Sequence, residues 1–169
     1  MQRPTTLEII RNKILNQETL KTQLMRWRFF SQKIVFTNGC FDLIHLGHID
    51  YLAKASDEGD VLIVGLNSDT SARGLKGPAR PINNQDQRAM ILASFQFVSA
   101  VVIFDEPTPL QLITTIQPDV LIKGGDYKPE EIVGYDVVKA KKGIVKTIEF
   151  LEGYSTSFIE EKIRSFKKT

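Results

Sequence analysis

Apolar positions along the chain alternate between two spacings. Residues 5–28 set Leu7, Ile10, Ile14 and Leu15, then Leu20, Leu24 and Trp27, at roughly helical intervals, which predicts one or two amphipathic helices. "KIVFTN" (Lys33 to Asn38) is a short β-rich run that ends in a glycine turn and reads as a strand. From His45 to Asp57 the pattern becomes helical, with Gly59 the expected C-cap. "VLIVGLN" (Val61 to Asn67) is a continuous apolar run, as expected of a strand covered on both faces.

Ser68 to Asn84 contains the glycines and prolines of "GLKGPARPI" and reads as a loop. Beyond it, Gln85 to Phe95 reads as a helix, "SAVVIF" as a strand, Thr108 to Thr115 as a helix, and "DVLIKGG" and "GIVKTIEF" as strands. Ser155 to Phe166 closes the chain as a helix opened by hydroxyls. Strands that alternate with helices imply βαβ units, hence a parallel sheet with right-handed crossovers. The expected fold is α/β: a Rossmann-like three-layer sandwich on a parallel sheet of about five strands, with extra N-terminal helices in residues 1–32. Such sheets bind ligands beyond the carboxyl ends of their strands, at the switch in strand order. The turns after Asn38, Asn67, Lys123 and Phe150 are therefore the places to seek chemistry.

Composition narrows the class. A chain of 169 residues is most simply one domain. Its 22 basic and 20 acidic side chains leave a charge of +2, too balanced for a protein that coats nucleic acid. A single cysteine cannot form an internal disulfide, which fits a reducing cytoplasm. "MQRPTTLEIIRNKILNQ" has no apolar core of a secretory signal, and no apolar run is long enough to span a bilayer. The expectation is a cytoplasmic protein of small-molecule chemistry, with neither nucleic acid nor membrane as partner.

The densest chemistry lies in "VFTNGCFDLIHLGHIDYLAKA" (Val35 to Ala55), which holds both histidines of the chain. His45 and His48 are three apart at a helix start, so both rings can share a face. Gly47 between them lets a ligand approach the backbone, and the helix N-terminus is a ready anion site. A metal site would need Cys40, Asp42 and the histidines to converge, and no second ligand cluster accompanies them. Two half-buried core histidines are the bland alternative, made weaker by the glycine between them and the turn before them.

Three further stretches lie beyond strand ends. "EGYSTSFIEEKI" (Glu152 to Ile163) opens a helix with Ser155, Thr156 and Ser157, which is an ordinary N-cap in isolation and a phosphate cradle if it faces "HLGH". "LNSDTSARGLKGPARPINNQDQRAMIL" (Leu66 to Leu92) carries Arg73, Lys76, Arg80 and Arg88 with few acids, suited to clamping a phosphate. In "VLIKGGDYKPEEI" (Val120 to Ile132) the paired glycines allow close approach of a base or ribose. Asp126 there is equally a ribose acceptor or a helix cap following a tight turn.

"TNGCFDLIHLGHIDYL" resembles the first motif of the nucleotidyltransferase superfamily with the HxGH signature, which includes cytidylyltransferases, phosphopantetheine adenylyltransferases and class I aminoacyl-tRNA synthetases. The resemblance implies that His45 and His48 contact the phosphates of a nucleoside triphosphate, whose α-phosphate is attacked directly. It implies that Ser155, Thr156 and Ser157 grip the phosphates that leave as pyrophosphate. Magnesium is then expected to arrive on the triphosphate, with no metal ligands from the protein.

"LKGPARPIN…QRAMIL", "VLIKGGDYKPEEI" and "EGYSTS" together resemble the adenylyltransferase domain of the ADP-heptose synthases, which join heptose 1-phosphate to AMP from ATP. The resemblance covers about Lys33 to Arg164, so residues 33–169 are the expected nucleotidyltransferase domain. No sugar kinase fits before Lys33, so a stand-alone form is expected. Glycerol-3-phosphate cytidylyltransferases carry arginine where this chain has Phe150, which favours the heptose branch. By this resemblance Asn38, Gly39, Cys40, Phe41, Asp42 and Gly47 shape the nucleotide floor. Lys123, Gly124 and Asp126 line the nucleoside, Lys76 joins the catalytic groups, and Arg73, Arg80 and Arg88 take the sugar phosphate and departing pyrophosphate.

A homodimer is implied as well, with Leu24, Trp27, Phe29 and Phe30 its expected surface. The rival readings are a cytidylyltransferase acting on glycerol 3-phosphate or another polyol phosphate, a nucleotide-binding regulator without catalysis, and a zinc module.

Overall fold

The structure, a computed structural model, describes residues 3–166. Five strands form one parallel sheet: β1 (Ile34–Gly39), β2 (Val61–Asn67), β3 (Ala100–Phe104), β4 (Val120–Gly124) and β5 (Ile144–Ile148), in the order β3-β2-β1-β4-β5. The chain winds from β1 out to β3, then returns to place β4 on the other side of β1. The switch in strand order therefore falls between β1 and β4.

Alternation along the strands makes two cores. On β1, Ile34 and Phe36 face one side, where α2 (Gln17–Phe29), α6 (Leu110–Ile116) and α7 (Tyr135–Ala140) supply Leu20, Leu24, Ile113, Ile116 and Val138. Val35 faces the other, where α3 (Leu46–Ser56) and α5 (Gln85–Ser94) supply Tyr51, Leu52, Ala89 and Leu92. The result is the three-layer Rossmann-like sandwich that the periodicity implies. Both clusters are almost wholly aliphatic, and removal of that surface from water is the main stabilising term.

The N-terminal segment resolves into two helices, α1 (Thr6–Arg11) and α2, each opened by a capping box, on Thr5 with Glu8 and on Asn16 with Thr19. Both belong to the body of the molecule. Leu20 is 1% exposed within the first core. Between the helices the chain runs alongside β3: Leu15 N–H donates to the Val101 carbonyl at 2.9 Å and Val101 N–H to the Lys13 carbonyl at 2.8 Å. Leu24, expected on a dimer surface, is spent in this core, and Trp27 packs against it; Phe29 and Phe30 stay exposed.

Three local expectations are corrected. Asp57 caps α3, and Gly59 lies beyond the helix, where a Cβ would come within 2.7 Å of the Lys33 carbonyl. Residues 68–84 are only partly loop, because Asp69–Lys76 forms α4, capped by Ser68 and ended at Gly77 with φ +94°. A 3₁₀ turn at Pro129–Glu131 and α7 follow the β4 turn, where the pattern shows no helix. The closing helix, α8 (Thr156–Phe166), buries none of its side chains.

Candidate active site

A cavity of about 720 Å³ opens at the carboxyl ends of β1, β2 and β4. Asn38 and Gly39 end β1, Asn67 ends β2, and Lys123 and Gly124 end β4; all five line it. After β1 the backbone turns through Phe41, whose φ of +43° is a left-handed conformation. The loop then runs to His45, the N-cap of α3, which makes no side-chain capping bond.

The two motifs expected to face each other do so. A Cβ on Gly47 would lie 3.1 Å from His45 Nδ1 and 3.2 Å from the Cβ of Tyr154. Glycine at this position is what lets "EGYSTS" pack against "HLGH". His48, Thr156 and Ser157 line the cavity together, while His45 and Ser155 line an adjoining apolar groove of about 380 Å³. Ser155 also serves as a local cap, its Oγ accepting the N–H of Phe158 at 3.1 Å.

Burial lowers the pKa of both imidazoles. His48 falls from 6.5 to about 4, through its own desolvation and the neighbouring His45. Both rings are thus neutral hydrogen-bonding groups near pH 7 in the free protein. Lys76, at the end of α4, and Lys123 line the cavity as cations that form no ion pair among the described residues. Burial lowers the Lys123 ammonium's pKa, and the charge on Lys76 pushes the same way. Burial likewise raises the Cys40 thiol, so it stands in the wall protonated. Neutral donors and unpaired ammonium groups in one cleft suit a polyanion.

The arginines divide. Arg88, expected to clamp phosphate, is 0% exposed and does not reach the cavity. Its guanidinium donates to the carbonyls of Cys40 (2.6 Å), Asn67 (2.8 Å) and Asn83 (3.0 Å) and pairs with Asp69 at 2.7 Å. With each of its three guanidinium nitrogens engaged, Arg88 ties the ends of β1 and β2 to α5. Arg80 does line the cavity, but two carboxylates hold it, Asp42 at 2.9 Å and Glu160 of α8. Arg73 and Asp126 are exposed and lie off the cavity wall.

Asp42 is part of the frame around the site. It accepts the N–H groups of Ile82 and Asn83, at 2.8 and 2.9 Å, besides pairing with Arg80. Burial alone would raise its carboxyl's pKa; these donors outweigh that and hold it below the ordinary value. Among the described residues no three His, Cys, Asp or Glu side chains gather to hold a metal, so the convergence a zinc module needs is not formed.

Sequence reasoning passed over Tyr51, Leu75 and Tyr127 and used Phe150 only as a family marker, yet all four line the cavity. Phe150 and Tyr127 are large exposed aromatics that press on the paired glycines. A Cβ on Gly124 would sit 2.5 Å from Phe150, and one on Gly125 3.0 Å from Tyr127. An aromatic following the end of β4 and another following β5 were the available signal.

A sequence model of the cytidylyltransferase-like family matches residues 36–164. The chain belongs to that family. This cytidylyltransferase-like chain is accordingly a nucleotidyltransferase-type enzyme. It is 55% identical over 152 residues to the bifunctional protein HldE of Wolinella succinogenes, covering 90% of this chain and 31% of that protein. With HldE of Campylobacter jejuni it is 56% identical over 155 residues, covering 92% and 32%. The chain spans about a third of the length of these relatives.

Among solved structures it resembles a lipopolysaccharide core biosynthesis protein from Thermoplasma volcanium, with a TM-score of 0.60 and 27% identity over 73% of this chain and 99% of that one. It shares its fold with pantoate–beta-alanine ligase from Francisella tularensis, with a TM-score of 0.59 and 19% identity over 91% of this chain and 77% of that one.

Proposed function

We propose that the chain transfers AMP from ATP to a heptose 1-phosphate, giving ADP-heptose and pyrophosphate. The observation that carries the reading is the shared wall of His48, Thr156 and Ser157 with the unpaired Lys76 and Lys123. That arrangement supports a triphosphate held from both ends of one cleft. The likeness to bifunctional HldE proteins supports the heptose branch.

In this reading an oxygen of the sugar phosphate attacks the α-phosphorus of ATP. A new P–O bond forms, the bond to the β-phosphate bridge breaks, and pyrophosphate leaves with the electron pair. The nucleophile is already ionised, so no general base is needed. Neutral His48 and His45 donate N–H to phosphate oxygens, and the arriving polyanion draws their pKa values upward as charge grows. Lys76 offsets charge between donor and acceptor, and Thr156 and Ser157 at the start of α8 hold the leaving phosphates. Gly124 and Gly125, with Phe150 and Tyr127, offer a flat aromatic wall to the nucleoside.

Magnesium, if it accompanies ATP, would supply charge neutralisation of the triphosphate. The single cysteine, which can form no internal disulfide, supports action in a reducing cytoplasm. No described helix is long and apolar enough to cross a membrane. Exposed Phe29 and Phe30, packed edge to face at 5.2 Å, are the proposed homodimer contact.

The deciding experiment is pyrophosphate release with ATP and CTP side by side, each against a panel of sugar 1-phosphates and glycerol 3-phosphate. Release with ATP and a heptose 1-phosphate is expected. Turnover confined to CTP and glycerol phosphate would replace the reading with the cytidylyltransferase one.

A further inference from the structure

α8 carries Thr156 and Ser157 into the cavity but is weakly held by everything else. It buries no side chain, and its apolar groups Phe158, Ile163 and Phe166 remain more than half exposed along the neighbouring groove. Its hydrogen bonds among the described residues are internal, such as Ser155 with Phe158. One polar tie joins it to the rest of the described chain: Glu160 pairs with Arg80. Arg80 is itself anchored, because Asp42 takes its other nitrogen, and Asp42 is fixed by the backbone of Ile82 and Asn83. A chain of contacts thus runs from the loop after β1, through the loop after α4, to the helix bearing the hydroxyls.

We infer that Glu160 is a positioning residue for nucleotide binding: through Arg80 it latches α8 so that Thr156 and Ser157 face the triphosphate. The inference rests on the reading of this cavity as a triphosphate site. It makes a prediction opposite in sign to simple electrostatics. An acid beside a polyanion site repels its ligand, so removing Glu160 as a mere charge should tighten binding, freeing Arg80 besides. As a latch, its removal should weaken binding despite the charge gained.

The test compares the 169-residue chain with its Glu160→Ala and Glu160→Gln variants, using ATP binding by calorimetry, steady-state kinetics and hydrogen exchange of residues 156–166. Because the latch holds the phosphates in ground and transition states alike, Glu160→Ala should raise Kd and KM for ATP about fivefold while kcat stays within about twofold. Glu160→Gln, which keeps the acceptor without the charge, should fall between Ala and wild type. Exchange along α8 should rise in Glu160→Ala, with the midpoint of thermal unfolding nearly unchanged, since no buried contact is lost. Equal or tighter ATP binding by Glu160→Ala overturns the latch and leaves the active-site reading standing. Failure of the wild type to bind any nucleotide overturns both.

Discussion

The rings of His45 and His48 stack with 3.8 Å between centroids and 25° between planes, and the Nδ1 atom of each is buried without a partner. Two imidazoles this close disfavour each other's protonation, and burial disfavours both. Among the described residues these are the buried side-chain nitrogens or oxygens left without a partner, an arrangement that is uncommon in a folded core. Replacing His48 with alanine should lower kcat/KM about 10²- to 10³-fold, the usual consequence of removing one preorganised donor to a charged transition state. Far-ultraviolet circular dichroism should stay unchanged; turnover near wild type would remove His48 from the chemistry.

The same histidine gives a pH signature. Its folded pKa of about 4 lies below the unfolded value near 6.5, so between these the unfolded chain binds more protons. Stability is therefore full above pH 6.5 and falls as the pH drops toward 4, by about 2 kcal/mol from this group after allowance for its partial exposure. The depressed Asp42 carboxyl acts in the same direction at lower pH. Urea titrations at stepped pH should show a shallower fall in the His48→Gln variant.

Arg88 should behave as a structural residue. Arg88→Met strands Asp69 and three carbonyl groups, a loss on the order of 3–5 kcal/mol for a broken buried pair. A large drop in the urea midpoint is expected. A stable variant with only a raised KM would restore the phosphate-clamp role.

Gly124→Ala brings a methyl against the exposed ring of Phe150, which can swing away, and within 3.2 Å of buried Tyr51. Stability should fall by only about 1 kcal/mol, while KM for ATP rises as the ring moves. In a Phe150→Ala background the glycine substitution should add little further, a non-additivity that a double-mutant cycle measures.

Leu20→Ala probes whether residues 1–32 fold with the remainder. Buried in the first core, it should cost about 2–4 kcal/mol within a single cooperative transition. Two separable transitions would make the N-terminal helices an independent appendage.

All five strands and most helices were legible because a sheet covered on both faces needs short continuous apolar runs and burial of one helix face imposes a period of 3.6. α4 escaped because "DTSARGLK" turns only Ser71 and Ala72 inward and includes Gly74, leaving no apolar stripe. α7, six residues long, is shorter than the window in which a helical period shows. Chemistry was legible where a motif is local, as in "HLGH" and "STS". It was not legible where a role depends on distant partners: Arg88 and Arg80 look alike in sequence, yet Asp69 and three carbonyls hold Arg88 away from the cavity while Arg80 lines it between Asp42 and Glu160. Leu24 was misassigned for a related reason, since an apolar stripe does not say whose core it enters.

The pairing of Lys13 to Leu15 with Val101 has a practical bearing on solubility. That segment pairs both backbone groups that Val101 turns outward on the edge strand β3, which shortens the open border available for edge-to-edge stacking. Trimming the protein to the span from residue 33 onward would keep β1 whole but cut away this cover, leaving a raw β3 border beside bared aliphatic surface. Such a shortened version should precipitate on expression, and crystallisation or engineering efforts should keep the leading helices.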